Sequence, residues 1–164
     1  MEPNIEEIYK QYSKIIYYYL LGICHNEFLA EEMMQETFCI AVAKIGKFRN
    51  ECKMNVWLCE IAKNLLYKEA QRVKKIVNMS MDEEIGEIET KNNIEEEFIE
   101  KEEVEYLYKQ IEKLESPRRE LMYLRVKLEL SFKELAEILG KSETWARVEF
   151  YRWKQKVIAD IQNK

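Results

Sequence analysis

The chain has 164 residues, of which 47% are hydrophobic and 35% are charged, and its formal net charge is −5 at pH 7. Only 4 Gly and 2 Pro occur, too few turn-forming residues for a β-sandwich or a barrel, so the prediction is an all-α fold. No run approaches the roughly 20 apolar residues of a membrane span, and the N-terminus lacks the pattern of a signal peptide. We therefore expect a cytoplasmic protein with no membrane insertion.

Residue types that commonly carry catalysis or bind metals are scarce. The four cysteines show no C-x-x-C spacing, so reduced thiols are expected. The single histidine, His25, follows Cys24, and neighbouring residues on a helix point about 100° apart, which argues against a Cys–His dyad. Glycine-rich phosphate-binding sequences are also missing. The sequence predicts no catalytic residues, no metal and no cofactor, and hence a protein that is not an enzyme.

Charge is distributed in three blocks. Residues 1–75 carry 11 basic and 10 acidic side chains, residues 76–105 carry 2 and 12, and residues 106–164 carry 13 and 9. The acidic block repels itself and buries little apolar surface, which is typical of a linker. We predict two small helical domains, 1–75 and 104–164, joined by an acidic linker, 76–103. The overall negative charge therefore does not argue against a nucleic-acid partner.

Three amphipathic helices are predicted in the first domain. Apolar residues from Ile5 to Ile23 recur at spacings of three and four, the pattern of the first helix. Asn26 is the predicted N-cap of a second helix that ends near Gly46. The residues expected to face inward from this helix are Ala30, Met33, Met34, Thr37, Phe38, Ala41, Val42 and Ile45. A third helix is expected to end in the basic segment 72–75 and to pack Trp57, Leu58, Ile61, Ala62 and Leu65.

The second domain has the pattern of a helix-turn-helix. Ser116 and Pro117 are the predicted N-cap and first-turn proline of a helix that runs to about Leu128. Ser131 and Glu134 fit a capping box for a short helix, Phe132 to Leu139. Gly140 then ends that helix, and Ser142 caps a longer one. A short helix, a glycine turn and a longer helix are the arrangement that many DNA-binding domains use.

Helical geometry separates two faces of the last helix. Ala146, Phe150, Trp153 and Val157 share one face, and the opposite face carries Thr144, Val148, Tyr151 and Gln155, flanked by Arg147. Arg147 and Arg152 suit a guanine edge or a phosphate, and Val148 suits a thymine methyl group. A solvated basic face is the alternative, which the pattern alone leaves open.

Segments of both domains resemble regions 2 and 4 of bacterial sigma factors of the extracytoplasmic function type. Residues 30–38, AEEMMQETF, resemble the family's A-E-D-x-x-Q-E-T-F, and residues 57–65, WLCEIAKNL, resemble W-L-x-x-I-A-x-N-x. In the second domain, LESP at 114–117 resembles L-x-x-P, and LAEILG at 135–140 resembles L/I-A-x-I-L-G. Residues 142–148, SETWARV, resemble the start of the family's reading helix.

The resemblance implies a specificity subunit that binds core RNA polymerase and directs initiation at promoter DNA. It assigns binding of the polymerase clamp helices to Glu31, Glu32, Gln35 and Glu36, with Phe38 supporting them from the core. An ordinary acidic surface is the alternative reading. The residues that the resemblance assigns to the −10 element are Phe48, Arg49, Asn50, Asn55, Lys63, Asn64, Lys68 and Arg72. Those assigned to the −35 element are Ser142, Thr144, Arg147, Val148, Tyr151, Arg152 and Lys154.

Three positions qualify this assignment. Phe48 follows the inward stripe, which favours a core role over base stacking. Lys68 stands where the family often has Asp. Glu149 occupies a position that is often basic or small, and a carboxylate there would either weaken DNA binding near phosphates or accept a hydrogen bond from a cytosine amino group.

Two other functions remain open. One is a stand-alone helix-turn-helix regulator, and the other is a sigma-like decoy or sequestering protein that has lost DNA binding. An anti-sigma factor is a further partner that the family resemblance suggests, with no residues assigned. The free protein is expected to be a monomer.

Overall fold

The chain folds into helices that form two compact units, residues 1–93 and residues 94–164. The computed structural model describes residues 4–79 and 101–163, and these ranges contain no β-strand. The predicted all-α fold is therefore confirmed for the described chain. Within the described ranges, no helix combines the length and the apolar character needed to cross a membrane.

The N-terminal unit is a bundle of three long helices that pack against one another in every pair. They are α1 (Ile5–Cys24), α2 (Glu27–Lys44) and α3 (Met54–Met79), with a 3-10 turn at Ile45–Lys47. Ile16, Leu20 and Leu58 are fully buried at the centre. The predicted cap is confirmed, because the Asn26 side chain accepts a hydrogen bond from the Leu29 N–H at 3.0 Å. This cap fixes where α2 begins and therefore which of its residues face outward.

The buried stripes differ from the prediction at a few positions. Val42 was expected to face inward but is 49% exposed, because it lies about 100° around α2 from the buried Ala41. On α3, Cys59 and Leu66 are buried and were missed. The basic segment 72–75 does not end α3, which continues to Met79 because no glycine, proline or cap residue stops it there.

The C-terminal unit consists of four helices around one core. They are α4 (Lys101–Glu112), α5 (Arg118–Leu128), α6 (Phe132–Leu139) and α7 (Glu143–Gln162). Ile111, Leu121 and Leu135 are completely buried among them. Packing of α7 against both α5 and α6 holds one face of α7 inward.

The turn between α6 and α7 follows the sequence prediction. Gly140 ends α6 with φ of +65°, in the left-handed region that glycine adopts at little cost. The Lys141 N–H donates to the Ala136 carbonyl at 3.0 Å, which closes the end of α6. The Ser131 and Ser142 hydroxyls accept from the backbone N–H groups of Glu134 and Trp145, so both predicted caps are confirmed. The helix-turn-helix is therefore set by local hydrogen bonds.

The predicted cap at Ser116 is wrong. Pro117 occupies the cap position of α5, and its carbonyl accepts from the Leu121 N–H at 3.1 Å. Ser116 lies one residue too early for its hydroxyl to reach the first turn, and α5 has no side-chain cap.

The predicted acidic linker, 76–103, lies mostly outside the described residues. Its first residues belong to α3 and its last to α4.

Candidate functional site

The exposed side of α2 presents a continuous acidic surface. Glu31, Glu32, Gln35 and Glu36 are all exposed. Met33, Met34 and Phe38 are buried on the other side of the helix. The buried Thr37 hydroxyl donates to the Met33 carbonyl at 2.6 Å, so it requires no partner outside the helix. The four predicted polymerase-binding residues thus share one accessible surface.

The core beneath this surface is aromatic. Phe38 is buried, and its ring centroid lies 5.0 Å from that of Tyr9 in an edge-to-face arrangement. Such pairs add to the stability that burial alone provides. Phe38 therefore supports α2 from below, as expected from the sequence.

Phe28 is an exposed aromatic residue that the sequence analysis missed. It lies one turn before Glu31 and Glu32, on the same side of α2, and is 76% exposed. Aromatic side chains are enriched among the residues that carry binding energy at protein interfaces, so Phe28 is a candidate anchor for a protein partner. Its position outside the inward stripe that begins at Ala30 was a signal available in the sequence. We call Phe28, Glu31, Glu32, Gln35 and Glu36 the α2 surface.

The negative potential of this region extends to α1. Burial, together with the nearby carboxylates of Glu27 and Glu31, raises the pKa of Tyr17 to about 12. The carboxylates act in this direction because nearby negative charge disfavours the ionised phenol. The first turns of α2 therefore present negative charge to a partner.

The connection from α2 to α3 contains the first of the predicted −10 residues. Phe48 is half-buried, and its ring centroid lies 4.8 Å from that of Trp57. Arg49 and Asn50 are exposed, and Asn50 adopts φ of +58°, which asparagine tolerates better than most residues. The loop therefore exposes polar side chains beside an aromatic pair.

Asn55 lies in the first turn of α3 and is not at the surface. It is only 7% exposed, and its Oδ1 atom is buried without a hydrogen-bond partner. A surface contact with DNA, which the family pattern suggested, does not describe this conformation. The difference arises because Asn55 faces the bundle at the start of α3.

The other predicted −10 residues follow the exposed side of α3. Asn64, Lys68 and Arg72 are spaced by four residues and form one exposed row. Lys63 lies beside it, with its Nζ atom 5.7 Å from the centre of the Tyr67 ring. This surface has the basic and polar character that a nucleic-acid backbone requires.

One residue of this row is already paired. Arg72 donates two hydrogen bonds to the Glu69 carboxylate, at 2.6 and 3.2 Å. This interaction lowers the pKa of Glu69 and raises the pKa of Arg72. Lys63 and Lys68 are therefore the stronger candidates for phosphate contacts.

The outward side of α7 matches the geometric prediction. Ala146 and Val157 are buried, whereas Thr144, Val148, Tyr151, Arg152 and Lys154 are exposed. Arg147 is exposed and forms an ion pair with Glu143 at 3.0 Å. Ser142 lies at the N-cap, where its hydroxyl already accepts from the Trp145 N–H. We call Thr144, Arg147, Val148, Tyr151 and Arg152 the α7 surface, and it is available to a DNA groove.

Within residues 4–79 and 101–163, no three His, Cys, Asp or Glu side chains cluster in a way that would hold a metal ion. None of the four cysteines, all of which lie in these ranges, forms a disulfide; Cys39 and Cys52 are exposed and Cys59 is buried.

Known sigma factors are similar in sequence to this chain over most of its length. Residues 8–76 match the model of Sigma-70 region 2. The chain is 30% identical over 156 residues to the ECF RNA polymerase sigma factor SigM of Bacillus subtilis, covering 95% of this chain and 94% of SigM. It is 29% identical over 140 residues to the RNA polymerase sigma factor YlaC of the same organism, covering 85% and 81%.

Solved structures share the fold at lower sequence identity. The sigma factor RpoE of Bartonella quintana, crystallised with the anti-sigma factor NepR, gives a TM-score of 0.66 at 16% identity, covering 96% of each chain. CnrH, in complex with the cytosolic domain of CnrY, gives 0.58 at 17% identity, covering 98% of this chain and 88% of CnrH.

Proposed function

This chain belongs to the extracytoplasmic function family of RNA polymerase sigma factors, which direct promoter-specific transcription initiation, and from this membership we propose how its surfaces divide the work. The α2 surface binds core polymerase, the loop before α3 and the exposed side of α3 bind the −10 element, and the α7 surface reads the −35 element. The observation that carries the proposal is the presence, on one chain, of an exposed acidic helix in the first unit and an exposed basic helix-turn-helix in the second.

The α2 surface suits a basic helical partner, which we take to be the clamp helices of core polymerase. Glu31, Glu32 and Glu36 supply charge complementarity, which raises the association rate and fixes orientation. Phe28 supplies an apolar anchor, and buried aromatic anchors contribute a large share of binding energy at interfaces.

At the −10 element, the protein must stabilise a base that has left the DNA stack, which costs a few kcal/mol. The paired rings of Phe48 and Trp57 offer a stacking surface. The buried Oδ1 atom of Asn55 is an unsatisfied acceptor, and a base that donates a hydrogen bond would satisfy it once the loop opens. Lys63 and Lys68 then hold the backbone beside that base.

At the −35 element, α7 enters the major groove as the recognition helix. Arg147 and Arg152 contact guanine edges or phosphates, Val148 contacts a thymine methyl group, and Tyr151 adds a hydrogen bond or an apolar contact. Lys154 lies further along the exposed side and contacts the backbone.

The partners follow from this assignment. Catalysis belongs to the polymerase, the chain works in the cytoplasm as a regulatory subunit, and it is a monomer before it binds. RpoE was solved with an anti-sigma factor and CnrH with the cytosolic domain of CnrY, and we include an anti-sigma factor as a partner of this chain.

The test is transcription in vitro with purified core polymerase and a pool of genomic promoter fragments, with and without this protein. Defined new transcripts that depend on upstream −10 and −35 sequences support the proposal. DNA binding without polymerase binding would instead identify a stand-alone helix-turn-helix regulator. Tight polymerase binding that yields no promoter-dependent transcript would identify a decoy.

A further inference from the structure

Phe132 lies close to three residues of the two neighbouring helices in the C-terminal unit, one on α5 and two on α7. It is the first residue of α6 and is half-buried. Its ring centroid lies 4.4 Å from the guanidinium carbon of Arg125 on α5 and 5.6 Å from that of Arg147 on α7. The Tyr151 ring lies 5.9 Å away. Arg147 and Tyr151 both belong to the α7 surface, whereas Arg125 and Phe132 belong to none of the predicted sites.

Arg125 fixes the position of the Phe132 ring. Its Nη1 atom donates to the Leu130 carbonyl at 2.7 Å, and its own carbonyl accepts from the Glu129 N–H at 3.0 Å. Both bonds hold the connection that leads into α6. The guanidinium also lies 5.5 Å from the Phe150 ring on the inner side of α7. A planar guanidinium that stacks on two rings and bonds to a carbonyl has little freedom left.

Arg147 is in turn held between two groups. Glu143 accepts a hydrogen bond from its Nη2 atom at 3.0 Å, and the Phe132 ring lies on another side of the guanidinium. Arginine has many rotamers, and ordering such a side chain before binding reduces the entropy that binding costs. These two contacts favour one orientation of the side chain that is best suited to read a guanine edge.

We propose that Phe132 is a positioning residue for −35 recognition: its ring, held by Arg125, orients Arg147 and Tyr151 for the DNA groove without touching DNA itself. This inference rests on the proposed function of α7. It predicts that the aromatic ring, rather than apolar volume at this position, sets promoter selectivity. A residue that merely packs the core would affect stability and would lower binding to all promoters alike.

The experiment uses polymerase holoenzyme formed with the full chain, on a promoter that the wild type selects and on the same promoter with one −35 base pair changed. The measured quantity is the ratio of the two affinities. We expect Phe132→Leu to lower this ratio about two- to fivefold, the loss that one exposed cation–π contact implies. Phe132→Tyr, which keeps the ring, should retain the ratio.

A double-mutant cycle with Arg147→Ala separates the two roles of Phe132. If Phe132 acts through Arg147, then Phe132→Leu lowers the ratio little further in the Arg147→Ala background. An equal loss in both backgrounds would overturn the inference, as would an unchanged ratio for Phe132→Leu. Arg125→Lys keeps the charge and loses the planar stack, so it should lower the ratio as well and provides a second test if Phe132→Leu folds poorly.

The outcomes also separate this inference from the function on which it rests. A wild-type holoenzyme that ignores every −35 change would overturn the proposed role of α7, and this inference with it. A wild type that discriminates, together with a Phe132→Leu variant that discriminates equally well, would overturn the positioning role alone.

Discussion

The carboxylate of Glu149 on α7 accepts a hydrogen bond from the Nε atom of Arg118, the first residue of α5, at 2.8 Å. The Glu149 side chain is only 15% exposed. Glu149 lies five residues after Thr144, which places it about 140° around α7 from the exposed reading side. A carboxylate at this position therefore ties two helices together and points away from the α7 surface, which weakens the sequence-based argument that Glu149 reflects a loss of DNA binding.

This relationship makes Glu149→Gln informative. We expect less than a twofold change in promoter affinity and an unchanged salt dependence, because the carboxylate does not lie near DNA. The free energy of unfolding should fall by at most about 1 kcal/mol, since Arg118 is largely exposed to solvent. Arg118→Gln should give the same loss of stability. Tighter DNA binding by Glu149→Gln, with a steeper dependence on salt, would contradict this geometry.

Most local features of the fold, apart from the cap at Ser116, were predictable from the sequence, and the contacts between particular side chains of different helices were not. The caps at Asn26 and Ser142 and the turn at Gly140 depend on residues only a few positions apart. Burial of Asn55 and the pairing of Arg118 with Glu149, 31 residues away, depend on how helices pack. No periodicity in one helix specifies its partner on another. Family resemblance identified the candidate surfaces but could not show which of their side chains were buried or already paired.

Charge reversal on the α2 surface should weaken polymerase binding without unfolding the bundle. The double variant Glu32→Lys and Glu36→Lys places like charges against a basic partner, and we expect the Kd for core polymerase to rise about tenfold or more.

Glu115→Lys with Asp160→Lys is the matched control, because it makes the same change in net charge at exposed positions of the other unit. A titration checks affinity, and circular dichroism checks the helices. Equal affinities for both double variants would exclude a specific role for this surface.

Phe28→Ala tests the apolar part of the same surface. Because Phe28 is 76% exposed, its removal should leave the melting temperature nearly unchanged. Truncating an aromatic anchor at an interface costs about 1 to 2 kcal/mol, so the Kd for core polymerase should rise roughly five- to thirtyfold. Tyr67→Ala, which removes an exposed aromatic residue of α3, is the control and should bind polymerase normally. Wild-type affinity for Phe28→Ala would assign the polymerase contact to the charged residues alone.

Arg147→Ala should reduce promoter selectivity by about 1 to 3 kcal/mol and leave binding to core polymerase intact. In the proposed function Arg147 contacts a base edge, where a wrong base leaves its donors unpaired. Lys154→Ala removes one positive charge from the same helix. Because Lys154 is proposed to contact the phosphate backbone, this variant should lower the affinity for all promoters nearly uniformly. Affinities for matched and mismatched −35 sequences check both variants. Equal and uniform losses for the two would show that Arg147 contacts only the backbone.

Alkaline pH should destabilise the N-terminal unit through Cys59. This thiol is only 2% exposed, and burial raises its pKa well above the ordinary value of 9.0. Above pH 9 the unfolded chain therefore loses this proton while the folded chain keeps it, so stability is full below pH 9 and declines as the pH rises. The thiol accounts for about 1.4 kcal/mol of this decline by pH 10.

Cys59→Ala lacks the ionisation, and although a small cavity lowers its stability at pH 7, its unfolding free energy should fall less steeply above pH 9. Denaturant titrations of both proteins from pH 7 to 10 measure the difference. Parallel pH profiles would mean that the thiol ionises in the folded protein as readily as in the unfolded chain.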